Sequence, residues 1–207
     1  MFTGLIEAVG KVAEVKTMTS GYRVRVRTAL ASELSPGDSL AVNGVCLTVI
    51  AVDSGEVHAD IGPETARVTT LGSLRHEQRV NIERSMRADG RVGGHFVQGH
   101  VDGTGVVDEI RADGDSHWLT ITFDRALSPF FVRKGSIAMD GVSLTVAGLG
   151  STVFDAMIIP FTWDHTNLSS LRVKDRVNLE CDMIGKYVAR AVELMEEGRL
   201  KPVPTGT

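Results

Sequence analysis

The sequence predicts an all-β fold: two tandem, duplicated, small antiparallel Greek-key β-barrels followed by a C-terminal α-helix. Three observations carry that expectation: the chain repeats itself, each repeat alternates apolar and polar residues with a period of two, and the last segment switches to helical spacing.

The repeat is clearest where Val42-Asn43-Gly44-Val45-Cys46-Leu47-Thr48-Val49 lines up with Met139-Asp140-Gly141-Val142-Ser143-Leu144-Thr145-Val146, an offset of about 97 residues. The same offset pairs Pro63, Thr65, Thr69 and Leu71 with Pro160, Thr162, Thr166 and Leu168, and Val80, Asn81 and Glu83 with Val177, Asn178 and Glu180. Nearer the start the register differs by two, pairing Gly4, Gly10, Val12 and Glu14 with Gly99, Gly105, Val107 and Glu109. The slip is expected in the polar turn Arg111 to His117, where an insertion costs little. Two long copies indicate a duplicated domain rather than a solenoid, joined through the Gly-rich stretch Met86 to Gly94. The expected units are an N-terminal barrel over residues 1–92, a C-terminal barrel over 93–181, and a helix and tail over 182–207.

Within each copy, Tyr22 to Arg27 and Leu119 to Phe123 alternate as strands with one wet face. Asn43-Gly44 and Asp140-Gly141 lie between apolar runs, the strongest short-range hairpin signal, and Asp53-Ser54-Gly55 marks a further turn. Short helical pieces are expected around Ala29 to Leu34 and Glu64 to Leu74. From Asp182 to Glu197 the residues Ile184, Tyr187, Val188, Ala191, Val192, Leu194 and Met195 follow helical spacing and have no copy in the first repeat. Such a helix packs back on its own barrel or, through 184, 188, 191 and 195, forms a seam between subunits.

Composition excludes several classes of function. With 43% apolar and 23% charged residues the chain can build a core, and its net charge of -4 gives no attraction to phosphate backbones or anionic lipid. Nucleic acid and membrane partners are therefore not expected. The start, Met1-Phe2-Thr3-Gly4, lacks a signal peptide's basic and apolar regions, and Cys46 and Cys181 read as free thiols, so a cytoplasmic location is expected. No metal is expected, because His95 and His100 have no further His/Cys cluster to complete a zinc site.

The most individual segment is Gly93-Gly94-His95-Phe96-Val97-Gln98-Gly99-His100-Val101-Asp102-Gly103. Taken in order with Met1 to Gly4, Asn43 to Val49 and Asp140 to Val146, it resembles the riboflavin synthase (lumazine-binding repeat) family over nearly the whole chain. The resemblance implies dismutation of two 6,7-dimethyl-8-ribityllumazine molecules to riboflavin and 5-amino-6-ribitylamino-uracil, the last step of riboflavin biosynthesis, by transfer of a four-carbon unit and without a cofactor. It further implies a homotrimer whose sites lie between subunits and hold two substrate molecules each, and a possible association with lumazine synthase. A duplicated domain suits this chemistry, since two copies of one molecule call for two similar half-pockets.

The resemblance places Cys46, His100, Asp140 and Ser143 at the family's catalytically implicated positions and leaves open which of them is the base. Plain readings stand beside these: Cys46 as a small buried apolar residue, Ser143 as a satisfied strand hydroxyl, and Asp140 as the first residue of a turn; the resemblance suggests instead that Ser143 or an adjacent water helps relay the methyl proton while Asp140 orients Ser143. Substrate contacts are implied at Gly4, Leu5 and Ile6, at Cys46, Leu47 and Thr48, at Asp60, Ile61, Gly62, Pro63, Glu64 and Thr65, and at Gly99, His100 and Val101. In the second repeat they fall at Lys134, at Ser143, Leu144 and Thr145, and at Ile158, Ile159, Pro160, Phe161, Thr162 and Trp163. Ala66-Arg67-Val68 and the bulky Phe161-Thr162-Trp163 depart from the family's usual residues. The competing function is a non-catalytic lumazine- or flavin-binding protein, which would lack the second-repeat site.

Overall fold

The computed structural model describes residues 1–200; the part of the expected tail beyond Leu200 lies outside the described residues. Repeat 1 supplies β1 (Ala8–Thr17), β2 (Tyr22–Arg27), β3 (Ser39–Val42), β4 (Val45–Asp53), β5 (Glu56–Ile61), the short helix α1 (Pro63–Val68) and β6 (Arg79–Arg84). Its strands close an antiparallel barrel in the order β1-β2-β5-β4-β3-β6. Three hairpin-linked strands with β2 returning beside β5 make the Greek key. The alternation of β2 is realised as predicted: Val24 and Val26 are buried, while Arg23 pairs with Asp60 outside and Arg25 and Arg27 share Glu56.

Repeat 2 supplies β7 (Gly103–Asp113), β8 (Ser116–Phe123), β9 (Ser136–Met139), β10 (Val142–Thr145), β11 (Gly148–Leu149), β12 (Val153–Ile158), helix α2 (Pro160–His165) and β13 (Arg176–Cys181). Here the expectation of a second closed barrel is corrected. The seven strands form a curled but open sheet, β10-β9-β13-β7-β8-β12-β11. In repeat 1 the nine residues of β4 serve β3 with one half and β5 with the other. The matching stretch of repeat 2 breaks between Thr145 and Gly148, where Gly148 and Gly150 stand in place of Ala51 and Asp53, and glycine weakens a strand interior. The all-β description is also too narrow, since α1, α2 and several 3-10 turns cross the barrel ends and α3 (Met183–Glu196) follows β13.

Strand register also moves the insertion. Lys11 faces Arg27 as Val106 faces Thr122, and Tyr22 faces Ile61 as His117 faces Ile158, so the shorter offset persists through β8. The extra residues lie after β8, not in the turn from Arg111 to His117. They lengthen the 3-10 segment Arg125–Phe130 relative to its counterpart Ala31–Glu33. A surface turn outside the ladders absorbs them without disturbing strand pairing. The helix α3 docks on this segment, and a side chain at Gly185 would meet the Phe130 carbonyl at 2.8 Å.

Each repeat has its own apolar core, and a polar seam joins the two. Asn43 and Gly44 (φ 46° and 76°) and Asp140 and Gly141 (φ 45° and 81°) turn two hairpins that meet back to back, and a Cβ on Gly44 would lie 2.6 Å from the Gly141 nitrogen. Around them the asparagines cross. Asn81 Nδ2 donates to the Asp140 carbonyl at 2.9 Å and Asn178 Nδ2 to the Asn43 carbonyl at 2.8 Å. Asn81 Oδ1 accepts from Asn167 N–H, Asn178 Oδ1 from Thr70 N–H, and the side chains of Asn43 and Asp140 accept from the N–H groups of Asn81 and Asn178. All of these residues are buried. Asn81→Ala, which strands the Asn167 N–H and the Asp140 carbonyl, is expected to cost about 2–4 kcal/mol in chemical unfolding.

Burial pushes the Asp140 carboxyl up to about 6, against the lowering pull of the Asn178 N–H and the Asn167 amide. With the folded-state value above the unfolded one, its stabilising contribution is present in acid and is lost as pH rises through about 6. Asp140→Asn is therefore expected to gain on the wild type in urea unfolding by about 2 kcal/mol between about pH 4 and about pH 8. A pH-independent gap between the two proteins would contradict this.

Candidate functional site

The first residues of each repeat do not line their own repeat. Phe2, wholly buried, pairs with Val97, and both pack with Ala41, Ala138 and Cys46 between the repeats. The Gly4 carbonyl accepts from Ser143 N–H at 2.8 Å, and the Gly99 carbonyl accepts from Cys46 N–H at 2.9 Å. Both glycines approach closely in positive-φ conformations: a Cβ on Gly4 would sit 2.6 Å from Ser143 Cβ, and one on Gly99 2.5 Å from Cys46 Cβ.

Two buried glutamates fix these crossings. Glu83 accepts from Thr3 N–H, Thr3 Oγ1 and Gly4 N–H, and Glu180 accepts from Gln98 N–H and Gly99 N–H. Burial raises both carboxyls, and these donors oppose the rise. The result is two cups. One gathers Cys46 and Thr48 of β4 with Gly99 to Val101 from the other repeat, and the predicted stretch Asp60 to Thr65 ends β5 and opens α1; Leu47 and Ile61 are buried instead in the core of repeat 1. Its counterpart gathers Ser143 and Thr145 of β10 with Gly4 to Ile6, and the predicted stretch Ile159 to Trp163 leaves β12 and runs into α2; Leu144 and Ile158 are buried instead in the core of repeat 2.

The predicted residues therefore fall into two groups, and no hydrogen bond joins Cys46 to Ser143 among the described residues. Thr48 and His100 of the first group and Leu5 and Thr145 of the second are exposed, so each cup is open; Lys134, also exposed, lies in the turn before β9 with its N–H bonded to the Val146 carbonyl. A groove of ≈ 1010 Å³ lies elsewhere, along α3. Asp60 and Glu64 are held by Arg23 and Arg67. Asp140 sits in the seam beneath the hairpins, and its carboxylate is taken by the Asn178 N–H and the Asn167 amide rather than by Ser143.

Ser143 has a different partner. His95 Nδ1 lies 2.7 Å from Ser143 Oγ, and His95 is itself buried. Burial lowers the His95 pKa against an opposing pull from Asp182, and so favours the neutral imidazole. Sequence reasoning weighed His95 only as a metal ligand. Its place in the Gly93 to Gly103 segment was the available signal. Among the described residues no histidine is hydrogen-bonded to Cys46, so the two groups are furnished differently. Among the described residues no group of three or more His, Cys, Asp or Glu side chains is arranged to hold a metal.

The cups differ at their rims as well. Repeat 1 presents Glu64 and Ala66 on α1, where repeat 2 presents Phe161, stacked on His165, and Trp163, stacked on His117 with ring centroids 3.9 Å apart. The bulky departures seen in the sequence thus make one rim aromatic and leave the other polar.

Known proteins share the duplicated organisation of the chain. The chain matches the lumazine-binding domain over residues 3–85 and again over 98–182. It is 44% identical to riboflavin synthase of Actinobacillus pleuropneumoniae over 91% of this chain and 88% of that one. It is 38% identical to riboflavin synthase of Bacillus subtilis over 99% of this chain and 96% of that one. In fold it is similar to LumP complexed with riboflavin, with a TM-score of 0.83 at 22% identity over 87% of this chain and 99% of that one. With one lumazine-binding domain per repeat and riboflavin synthases matched over nearly its whole length, the chain belongs to the riboflavin synthase family.

Proposed function

We propose that the chain is a riboflavin synthase: it converts two molecules of 6,7-dimethyl-8-ribityllumazine into riboflavin and 5-amino-6-ribitylamino-uracil. The observation that carries the reading is the pair of related but unequal cups, one holding Cys46 and the other the Ser143–His95 pair 2.7 Å apart. Two identical substrates need two similar seats, and a reaction in which one gives and the other takes four carbons needs those seats to differ. Holding both in contact removes the entropy of their encounter, which is worth up to about 7–11 kcal/mol.

The chemistry left to side chains is proton transfer. The methyl group on C7 of one lumazine loses a proton, and the resulting anion, delocalised into the ring, attacks C7 of the other. Ser143, backed by neutral buried His95, is the group we assign to carrying that proton, and donors at the cup rim stabilise the ring anion. Asp140 we assign to the hairpin that presents Ser143, because its oxygens are used in the seam. Cys46 and His100 line the opposite cup, and Thr48, Thr145 and Lys134 are placed to meet ribityl hydroxyls or the pyrimidine edge.

Open cups call for a cover, and we propose a homotrimer in which repeat 1 of one subunit faces repeat 2 of its neighbour. The support is α3, which buries no residue in the single chain and exposes Ile184, Tyr187 and Val188 at 64%, 68% and 57%. Such an unpartnered apolar stripe marks an interface. A reducing cytoplasm suits the two free cysteines.

Purified protein given dimethyl-ribityllumazine is expected to form one riboflavin for every two substrates consumed. Ser143→Ala and His95→Gln are expected to lower kcat by roughly 10²–10⁴ while substrate affinity changes little. A coloured preparation that holds its ligand and turns over none would instead establish a binding protein. Val188→Asp is expected to shift the native mass toward the monomer and to remove activity in step with it; an active monomer would contradict the shared site.

A further inference from the structure

Glu7 and Asp102 occupy the same place in the two repeats, immediately before β1 and β7. Each accepts a main-chain bond from the last strand of its repeat, Glu7 from Arg84 N–H at 2.9 Å and Asp102 from Cys181 N–H at 2.8 Å. In repeat 1 the neutralising cation is built in, since the Arg84 side chain forks onto Glu7 with both bonds at 2.9 Å. Repeat 2 has no such arginine: the matching residue is Cys181, a buried thiol that carries no charge. Its place is taken by Lys186 of α3, whose Nζ lies 2.9 Å from both oxygens of Asp102, with the two side chains only 23% and 19% exposed. The cation has thus moved off the repeat onto the one helix that stands outside the duplication.

That transfer ties two functions together. Asp102 ends the segment Gln98 to Val101, which Glu180 grips, which meets Cys46 through the Gly99 carbonyl, and which carries His100. On the helix side the ion pair lies on the wall of the groove formed by Phe130, Val132, Ile184 and Val188. In a single chain α3 touches its own repeat chiefly at the 3-10 segment and through Lys186, while its apolar stripe faces outward. Copies covering that stripe, as proposed above, would hold the helix and with it the Lys186–Asp102 pair.

We infer that Lys186 is a positioning residue for the repeat 1 cup, holding the His100 segment against Cys46 so that assembly through α3 sets the geometry of that cup. The inference rests on the reaction and assembly proposed above. Loss of the cation strands a partly buried carboxylate. The segment then shifts to rehydrate it, and a displacement of about 1 Å near reacting groups costs up to about 10²-fold in rate.

The test compares wild type, Lys186→Met, Lys186→Arg and Arg84→Met, with kcat, KM, native mass and the rate of Cys46 alkylation, with and without riboflavin, as readouts. Cys181 is buried, so alkylation reports on Cys46. Lys186→Met is expected to keep the wild-type mass, lose at least about tenfold in kcat, and lose riboflavin protection of Cys46 at concentrations that protect the wild type. Lys186→Arg is expected to restore both. Arg84→Met, which releases the segment facing Ser143, should leave protection of Cys46 intact. Wild-type kcat and protection in Lys186→Met would overturn the inference. So would full recovery at protein concentrations that restore the mass, since Lys186 would then serve assembly alone. A wild type that makes no riboflavin would refute the proposed reaction instead, while the protection of Cys46 would still read the coupling.

Discussion

Asn81 and Asn178 each reach across the molecular pseudo-dyad to the hairpin of the other repeat, and the rest of the structure depends on this exchange. The Asn81 and Asn178 amides find partners in the opposite copy while the Asn43 and Asp140 side chains hold the main chain of their own, and burial without a partner costs more than any single bond there returns. The network therefore admits one relative placement of the repeats. Gly44 and Gly141 tighten it by letting two turns touch main chain to main chain. With the hairpins fixed, β4 and β10 leave the dyad on opposite sides, carrying Cys46 and Ser143 into separate cups.

A second exchange builds on the first. The opening segment of each repeat crosses over and lies on the other, Gly4 against Ser143 and Gly99 against Cys46, under the grip of Glu83 and Glu180. Neither cup is thus the property of one repeat, and a change in either copy is felt in both. Duplication supplies the sameness that two identical substrates require. Difference enters through a few positions: His95 behind Ser143, Phe161 and Trp163 at one rim, and Lys186 standing in for an arginine that repeat 2 does not have.

Much of this was legible in the residues. The offset between Asn43 and Asp140, the Asn-Gly and Asp-Gly turns, and the alternation of β2 specify the repeat, the hairpins and the strand faces through local rules of backbone and burial. The segment Gly93 to Gly103 pointed to the family. What escaped reading depends on register and packing. The open edge of the second sheet turns on Gly148 and Gly150 in a single strand, and the two-residue insertion is located only by strand pairing, because residue identities alone do not fix which connection takes it up. The carboxylate of Asp140 faces the seam, a direction that no periodicity encodes. His95 was visible as a residue but not as a partner, since 48 positions of sequence separate it from Ser143.

The central claim is that chemistry occurs where the first cup of one subunit meets the second cup of another. Subunit complementation tests it most directly. Cys46→Ala and Ser143→Ala proteins, each impaired alone, are unfolded, mixed and refolded together, and riboflavin formation is followed against the fraction of mixed oligomer measured by native mass. The account predicts that activity reappears in the mixed oligomers, where an intact first cup can face an intact second cup on a neighbour. Mixed oligomers that form in quantity and stay as inactive as their parents would contradict it.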